Sequence, residues 1–182
     1  TPYDEYWPSR SSYFGICDLA GLPKDRYYLY RSQWNRKDHT LHILPHWNWK
    51  RGDEVPVMVY TDFPEAELFL NGRSLGRQKK QPYTIPSSTA EQTKSLVETK
   101  ALLRRYRLIW DVVKYEPGEL CVVAYDAEGR PAMEKTMRTA GAPVALKLEA
   151  DRSAIKAGGD DLSFITVSMQ DSRGTLCPDA SD

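Results

Sequence analysis

Three histidines, His39, His42 and His46, follow one another in the pattern H-x2-H-x3-H, a spacing that invites a metal site. A tetrahedral site needs further ligands, and no cysteine or carboxylate completes the set at a usual spacing. Pro45 also breaks the strand on which His42 and His46 would share a face, while His39 would point away. The triplet therefore reads as ordinary interface or surface histidines, and no metal or cofactor is expected. The next residues, His46-Trp47-Asn48-Trp49, put two tryptophans on one face of a short strand. Burial in a core or between domains is the first reading, since each indole contributes ~1.5–3 kcal/mol when packed. An exposed pair, Trp47 with Trp49, would instead make a stacking platform for sugar rings. That would suit an independent carbohydrate-binding module. A third reading is a structural immunoglobulin-like spacer.

Asp4 and Glu5 lie in a loop rich in Tyr and Trp, surroundings like those of a sugar site. Each reads by itself as a solvated or structural carboxylate. Glycosidases hold two carboxyls ~5–5.5 Å apart for retention, or ~6.5–9.5 Å apart for inversion. Spacing along loops and strands establishes neither distance. There is no G-x-S-x-G, Walker loop, H-E-x-x-H or Gly-rich dinucleotide turn. The cysteines, Cys17, Cys121 and Cys177, are odd in number and far apart, so they form neither a disulfide framework nor a metal knuckle. Cys121, inside an apolar run at 120–124, reads as a small core residue.

These residues must be held by a fold, and composition bounds it. The chain has 182 residues, with 25 Lys plus Arg against 25 Asp plus Glu. A zero balance offers no general attraction to nucleic acid or to an anionic membrane. Hydrophobic residues make up 41%, enough for a packed core. No stretch approaches ~18 consecutive apolar residues, so no membrane insertion is expected. The length allows one full domain and part of another. The opening Thr1-Pro2-Tyr3-Asp4-Glu5 does not read as a signal peptide, and the chain reads as cut from something longer.

Residues 1–12 read as loop. From Pro23, a residue tolerated in the first turn of a helix, Tyr27, Tyr30 and Trp34 fall at i, i+3 and i+7. A short helix over 24–33 with an aromatic face is expected to dock on the sandwich, and 35–40 reads as a link. Period-two patterning then predicts strands at 41–44, 46–49, 55–60, 67–70, 106–114, 120–125 and 132–139. Asn71-Gly72 between apolar strands supplies the two positive-φ residues of a type I′ hairpin turn. Within an insertion at 79–105, Ser88 and Glu91 have capping-box spacing, and a helix is expected over 91–103. Two further strands come after Gly141, around 144–148 and 162–167. The pattern predicts a mainly β fold, an immunoglobulin-like β-sandwich with an N-terminal aromatic arm and the truncated start of a second β-domain. The expected division is 1–40, 41–140 and 141–182.

Three stretches carry a resemblance. They are Trp7-Pro8-Ser9-Arg10-Ser11-Ser12-Tyr13-Phe14-Gly15-Ile16-Cys17-Asp18-Leu19-Ala20-Gly21, Pro23-Lys24-Asp25-Arg26-Tyr27-Tyr28-Leu29-Tyr30-Arg31-Ser32-Gln33-Trp34, and Leu41-His42-Ile43-Leu44-Pro45-His46-Trp47-Asn48-Trp49. Together they resemble the C-terminal end of the catalytic barrel of bacterial β-galactosidases in glycoside hydrolase family 2. Ala66-Glu67-Leu68-Phe69-Leu70-Asn71-Gly72-Arg73 resembles the sandwich domain that comes after that barrel, and the residues after Val144 resemble a further immunoglobulin-like domain. The resemblance implies a retaining glycosidase whose two catalytic glutamates lie on earlier barrel strands, outside this chain, so no catalytic residue is carried over. It implies a non-catalytic part whose partner is the rest of its own barrel, with a carbohydrate substrate in the parent protein. It places 1–12 after the last barrel strand, where active-site loops gather. Tyr3, Tyr6 and Trp7 are thereby substrate-binding candidates on the site's rim. A periplasmic or extracellular location is favoured for the parent.

Overall fold

The computed structural model describes residues 14–18, 20–82 and 96–180. Its first element is helix α1, Asp25–Trp34, one residue further along than the expected span. Seven strands then form two antiparallel sheets. β1 (Leu41–Leu44), β2 (Glu54–Thr61) and β5 (Leu108–Lys114) make one, in the order β1-β2-β5. β3 (Glu65–Leu70), β4 (Arg73–Lys79), β6 (Glu119–Tyr125) and β7 (Pro131–Arg138) make the other, in the order β4-β3-β6-β7. The chain changes sheet between β2 and β3, between β4 and β5, and again between β5 and β6. This is the sandwich that the alternating pattern called for.

Alternation places the core. Val55, Val57 and Val59 of β2 face Ala66, Leu68 and Leu70 of β3 and Leu120, Val122 and Ala124 of β6, all buried in one cluster. Trp110 and Leu108 of β5 complete it. Cys121 corrects the sequence reading. It sits one residue out of phase with Leu120 and Val122, so the pleat turns it to the outer face, where it is half-buried. The Asn71-Gly72 turn forms as expected, with φ of 51° and 78°, closing the β3–β4 hairpin.

Two other expectations are corrected. Residues 46–49 form no strand; Trp47 instead enters the core from an irregular segment. The expected strand at 106–114 begins only at Leu108, because helix α2, Leu96–Tyr106, runs up to it. This helix supplies the expected one in the insertion; Ser88 and Glu91 lie outside the described residues. Arg104 of α2 anchors it by donating to the Ile109 carbonyl at 3.2 Å and pairing with Asp111.

Beyond the sandwich, β8 (Ala145–Ala150) and β9 (Ile165–Gln170) form a two-stranded antiparallel sheet. Its register pairs Leu146 with Met169, Leu148 with Val167 and Ala150 with Ile165. One face is therefore apolar throughout, and its Leu146, Leu148, Ile165 and Val167 are exposed.

Candidate functional site

The sequence candidates Tyr3, Tyr6 and Trp7, with Asp4 and Glu5, lie outside the described residues. The structure brings together instead the residues by which α1 sits on the first sheet. Cross-strand pairing of β1 with β2 sets His42 beside Tyr60. Asp25 in the first turn of α1 reaches His42 Nε2 at 2.7 Å, and the ring of Tyr28 stacks flat on the imidazole at 3.9 Å. Ser32, one turn on, is buried and donates its hydroxyl to the Leu29 carbonyl. Burial lowers the pKa of His42, although the hydrogen bond and charge of Asp25 oppose it. Burial likewise raises that of the Tyr60 phenol. The pair behaves as a neutral imidazole held between aromatic rings, and its effect is to tie helix to sheet.

The docking face is thus Asp25, Tyr28 and Ser32, at i, i+3 and i+7. The sequence reading chose Tyr27, Tyr30 and Trp34, which have the same spacing two residues later, about 200° around the helix. The helix docks as expected but through the opposite side. Trp34 stacks on Tyr30 at 4.8 Å and stays 72% exposed.

The three histidines go three separate ways. His39 Nδ1 lies 2.6 Å from Asp62, His42 pairs with Asp25, and His46 lies 3.7 Å from Asp179. The two tryptophans part as well. Trp47 is 1% exposed, its indole N–H donating to the Glu116 carbonyl and its ring edge-on to Tyr115. Trp49 is 41% exposed, its ring parallel to His46 at 5.0 Å and its N–H donating to the His46 carbonyl. A two-tryptophan platform is therefore excluded; only Trp49 presents a face to solvent.

Carboxylates share a cation in three places among the described residues: Asp126 with Glu128 on Arg130, Asp151 with Asp161 on Arg152, and Glu65 with Glu67 of β3 on Arg77. Arg77 lies 3.8 Å from each and packs over the Tyr125 ring. Hydroxyls of Ser74 and Tyr125 also donate to Glu67, and its carboxyl is held below the usual range. A carboxyl held ionised in this way has no proton to give, which argues against Glu67 as a general acid.

A second junction escaped sequence reading. Asp171, just after β9, is buried and accepts the N–H groups of Gly141, Arg173 and Thr175 at 2.8, 2.9 and 2.8 Å. The Arg173 guanidinium also reaches the Thr139 carbonyl at 3.0 Å. The Gln170–Gly174 turn was legible, but not its grip on the link after β7.

Comparison with known proteins identifies the frame for these contacts. The family description "Glycoside hydrolase family 2 C-terminal domain 5" fits residues 146–182, and "Domain of unknown function (DUF4982)" fits 52–133. Over its whole length the chain is 43% identical to the β-galactosidase BoGH2A of Bacteroides ovatus. The chain belongs to the C-terminal region of glycoside hydrolase family 2. It spans 18% of that relative's length. It is also 34% identical over 167 residues to a putative β-glucuronidase of Formosa agariphila, spanning 14% of it. A β-glycosidase from Bacteroides vulgatus superposes with a TM-score of 0.73 at 34% identity, over 94% of this chain and 19% of that one. A family 2 member from Bacteroides cellulosilyticus gives 0.72 at 29% identity, over 91% and 22%. As a family 2 C-terminal region the chain is a glycosidase-associated, non-catalytic part, and none of the described contacts assembles an acid/base pair.

Proposed function

We propose that this chain is the non-catalytic C-terminal part of a retaining β-galactosidase. In this reading residues 1–40 end the catalytic barrel, 41–140 are the supporting sandwich and 141–182 open a further immunoglobulin-like domain. Tyr3, Tyr6 and Trp7 would line the rim of the active site, and both catalytic glutamates would lie upstream. The observation that carries the reading is the two-sided helix α1. One side is tied to the sandwich through Asp25 and Tyr28, with Ser32 buried on it, while the Tyr30–Trp34 stack faces away. A helix with an aromatic stack turned outward suits a joint between two bodies. The similarity to family 2 β-galactosidases supports it.

The test has two arms. The 182-residue chain should leave a chromogenic β-galactoside unhydrolysed; turnover that disappears when one of its own carboxylates is replaced would refute the reading. In the longer parent protein, Trp34→Glu should lower the melting temperature and turnover of the galactoside. Unchanged values of both would show that the stack meets nothing.

A further inference from the structure

Below Pro45 the surface opens into a groove of about 480 Å³, within the roughly 300–1,000 Å³ typical of small-molecule sites. Leu44, Pro45, Pro56 and Met58 give it apolar walls, and Trp49, Asp53 and Glu54 supply the remaining chemistry. Trp49 is fixed there before any ligand arrives. Its ring lies parallel to His46 and its N–H is already used on the His46 carbonyl. Ordering a flexible side chain is a cost of binding that such an indole largely avoids. Among the described residues no Lys or Arg lines the groove, and the charges they bring to it are two carboxylates.

We infer that this groove is a carbohydrate subsite of the sandwich itself, for a neutral hexopyranose. A pyranose presents an apolar C–H face, which suits a fixed indole, and hydroxyl donors, which suit carboxylate acceptors. The same carboxylates repel an anionic sugar, so a uronate is rejected. They also disfavour a second copy of the chain seated symmetrically, which would set Asp53 and Glu54 against like charges. The subsite needs no catalytic barrel and is independent of the proposed role in a galactosidase, because it is tested on this chain alone.

The experiment tracks the backbone amide and tryptophan indole N–H resonances of the 182-residue chain by NMR during titration with methyl β-galactoside, and separately with methyl β-glucuronide. The galactoside should shift the Trp49 signal with half-saturation in the millimolar range, on the order of −4 kcal/mol, and the glucuronide should not. Trp49→Ala should abolish saturable shifts elsewhere in the groove. Asp53→Asn, which keeps the size of the side chain, should weaken binding several-fold with an unchanged melting temperature. No shift at saturating galactoside, an equal response to the glucuronide, or full binding by Trp49→Ala would each overturn the assignment.

Discussion

The side chain of Asn71 fills the space where Gly118 has no Cβ. A Cβ built on Gly118 would stand 1.9 Å from Asn71 Oδ1, and Gly118 itself has φ of 139°. That oxygen accepts the N–H of Glu119 at 2.8 Å, and the amide group donates to the Pro117 carbonyl at 3.2 Å. The β3–β4 turn thus clamps the turn before β6. Gly118→Ala should destabilise the sandwich by about 1–3 kcal/mol, through both contact and backbone conformation. Asn71→Gly removes the contact while keeping a residue at ease with positive φ. Chemical denaturation of the double variant should therefore show less than the sum of the two losses. Strict additivity would mean that the two turns are independent.

Trp47 and Trp49 separate two kinds of burial. Trp47→Ala should cost about 3–5 kcal/mol, as expected for a large aromatic side chain removed from a core. Trp49→Ala, on the surface, should cost about 1 kcal/mol or less. Equal losses in urea melts would mean that the groove tryptophan is structural.

His42 makes helix docking sensitive to acid. Its folded pKa lies below the ordinary 6.5 because burial disfavours the cation, with Lys135 acting in the same direction and Asp25 against. The unfolded imidazole therefore takes up a proton at higher pH than the folded one. Its contribution is complete above about pH 6.5 and is lost as pH falls from there through the folded value. Hydrogen exchange should show α1 losing protection over that interval. His42→Phe, which keeps a ring against Tyr28, should flatten the dependence. An NMR titration placing the His42 pKa at or above 6.5 would contradict the account.

Asp171 has the opposite origin and the same direction. The Gly141 N–H is the first of several donors that hold its carboxyl well below the ordinary 3.8. Its contribution is present above that ordinary value and disappears as pH falls towards the folded one. Asp171→Ala at neutral pH should expose residues 141–144 to proteolysis and raise exchange in β9, leaving the sandwich melt unchanged. Protection equal to wild type would show that Arg173 alone holds the joint.

Sequence reading located what local chemistry decides. Patterning identified every strand of both sheets but β4, which followed from Asn71-Gly72, a turn fixed by the φ it tolerates. What it missed depends on long-range partners. Periodicity found an apolar stripe on α1, yet the docking side is chosen by His42, which stacks on Tyr60 and lies fourteen residues from Tyr28 and seventeen from Asp25. Residues 46–49 alternate like a strand but make no ladder, because the Asn48 side chain bonds both backbone groups of Ala140 instead. Cys121 obeys the same logic: an unbroken apolar run cannot say which of its residues face inward. The candidate Tyr3, Tyr6 and Trp7 rest on resemblance, and the groove at Trp49 was legible only as one half of a supposed pair.

The amphipathic β8–β9 sheet also governs how the chain behaves as a colloid. Its apolar face is open to water, and β8 pairs only with β9 among the described residues, which leaves its other edge without a strand. Charge does little to keep copies apart, since the chain carries equal numbers of acidic and basic residues and its isoelectric point is about 6.8. Near neutral pH, mutual repulsion is at its weakest while that face stays as sticky as ever. Concentrated solutions therefore keep best well to the alkaline side, where net charge returns and both His42 and Asp171 retain their folded partners.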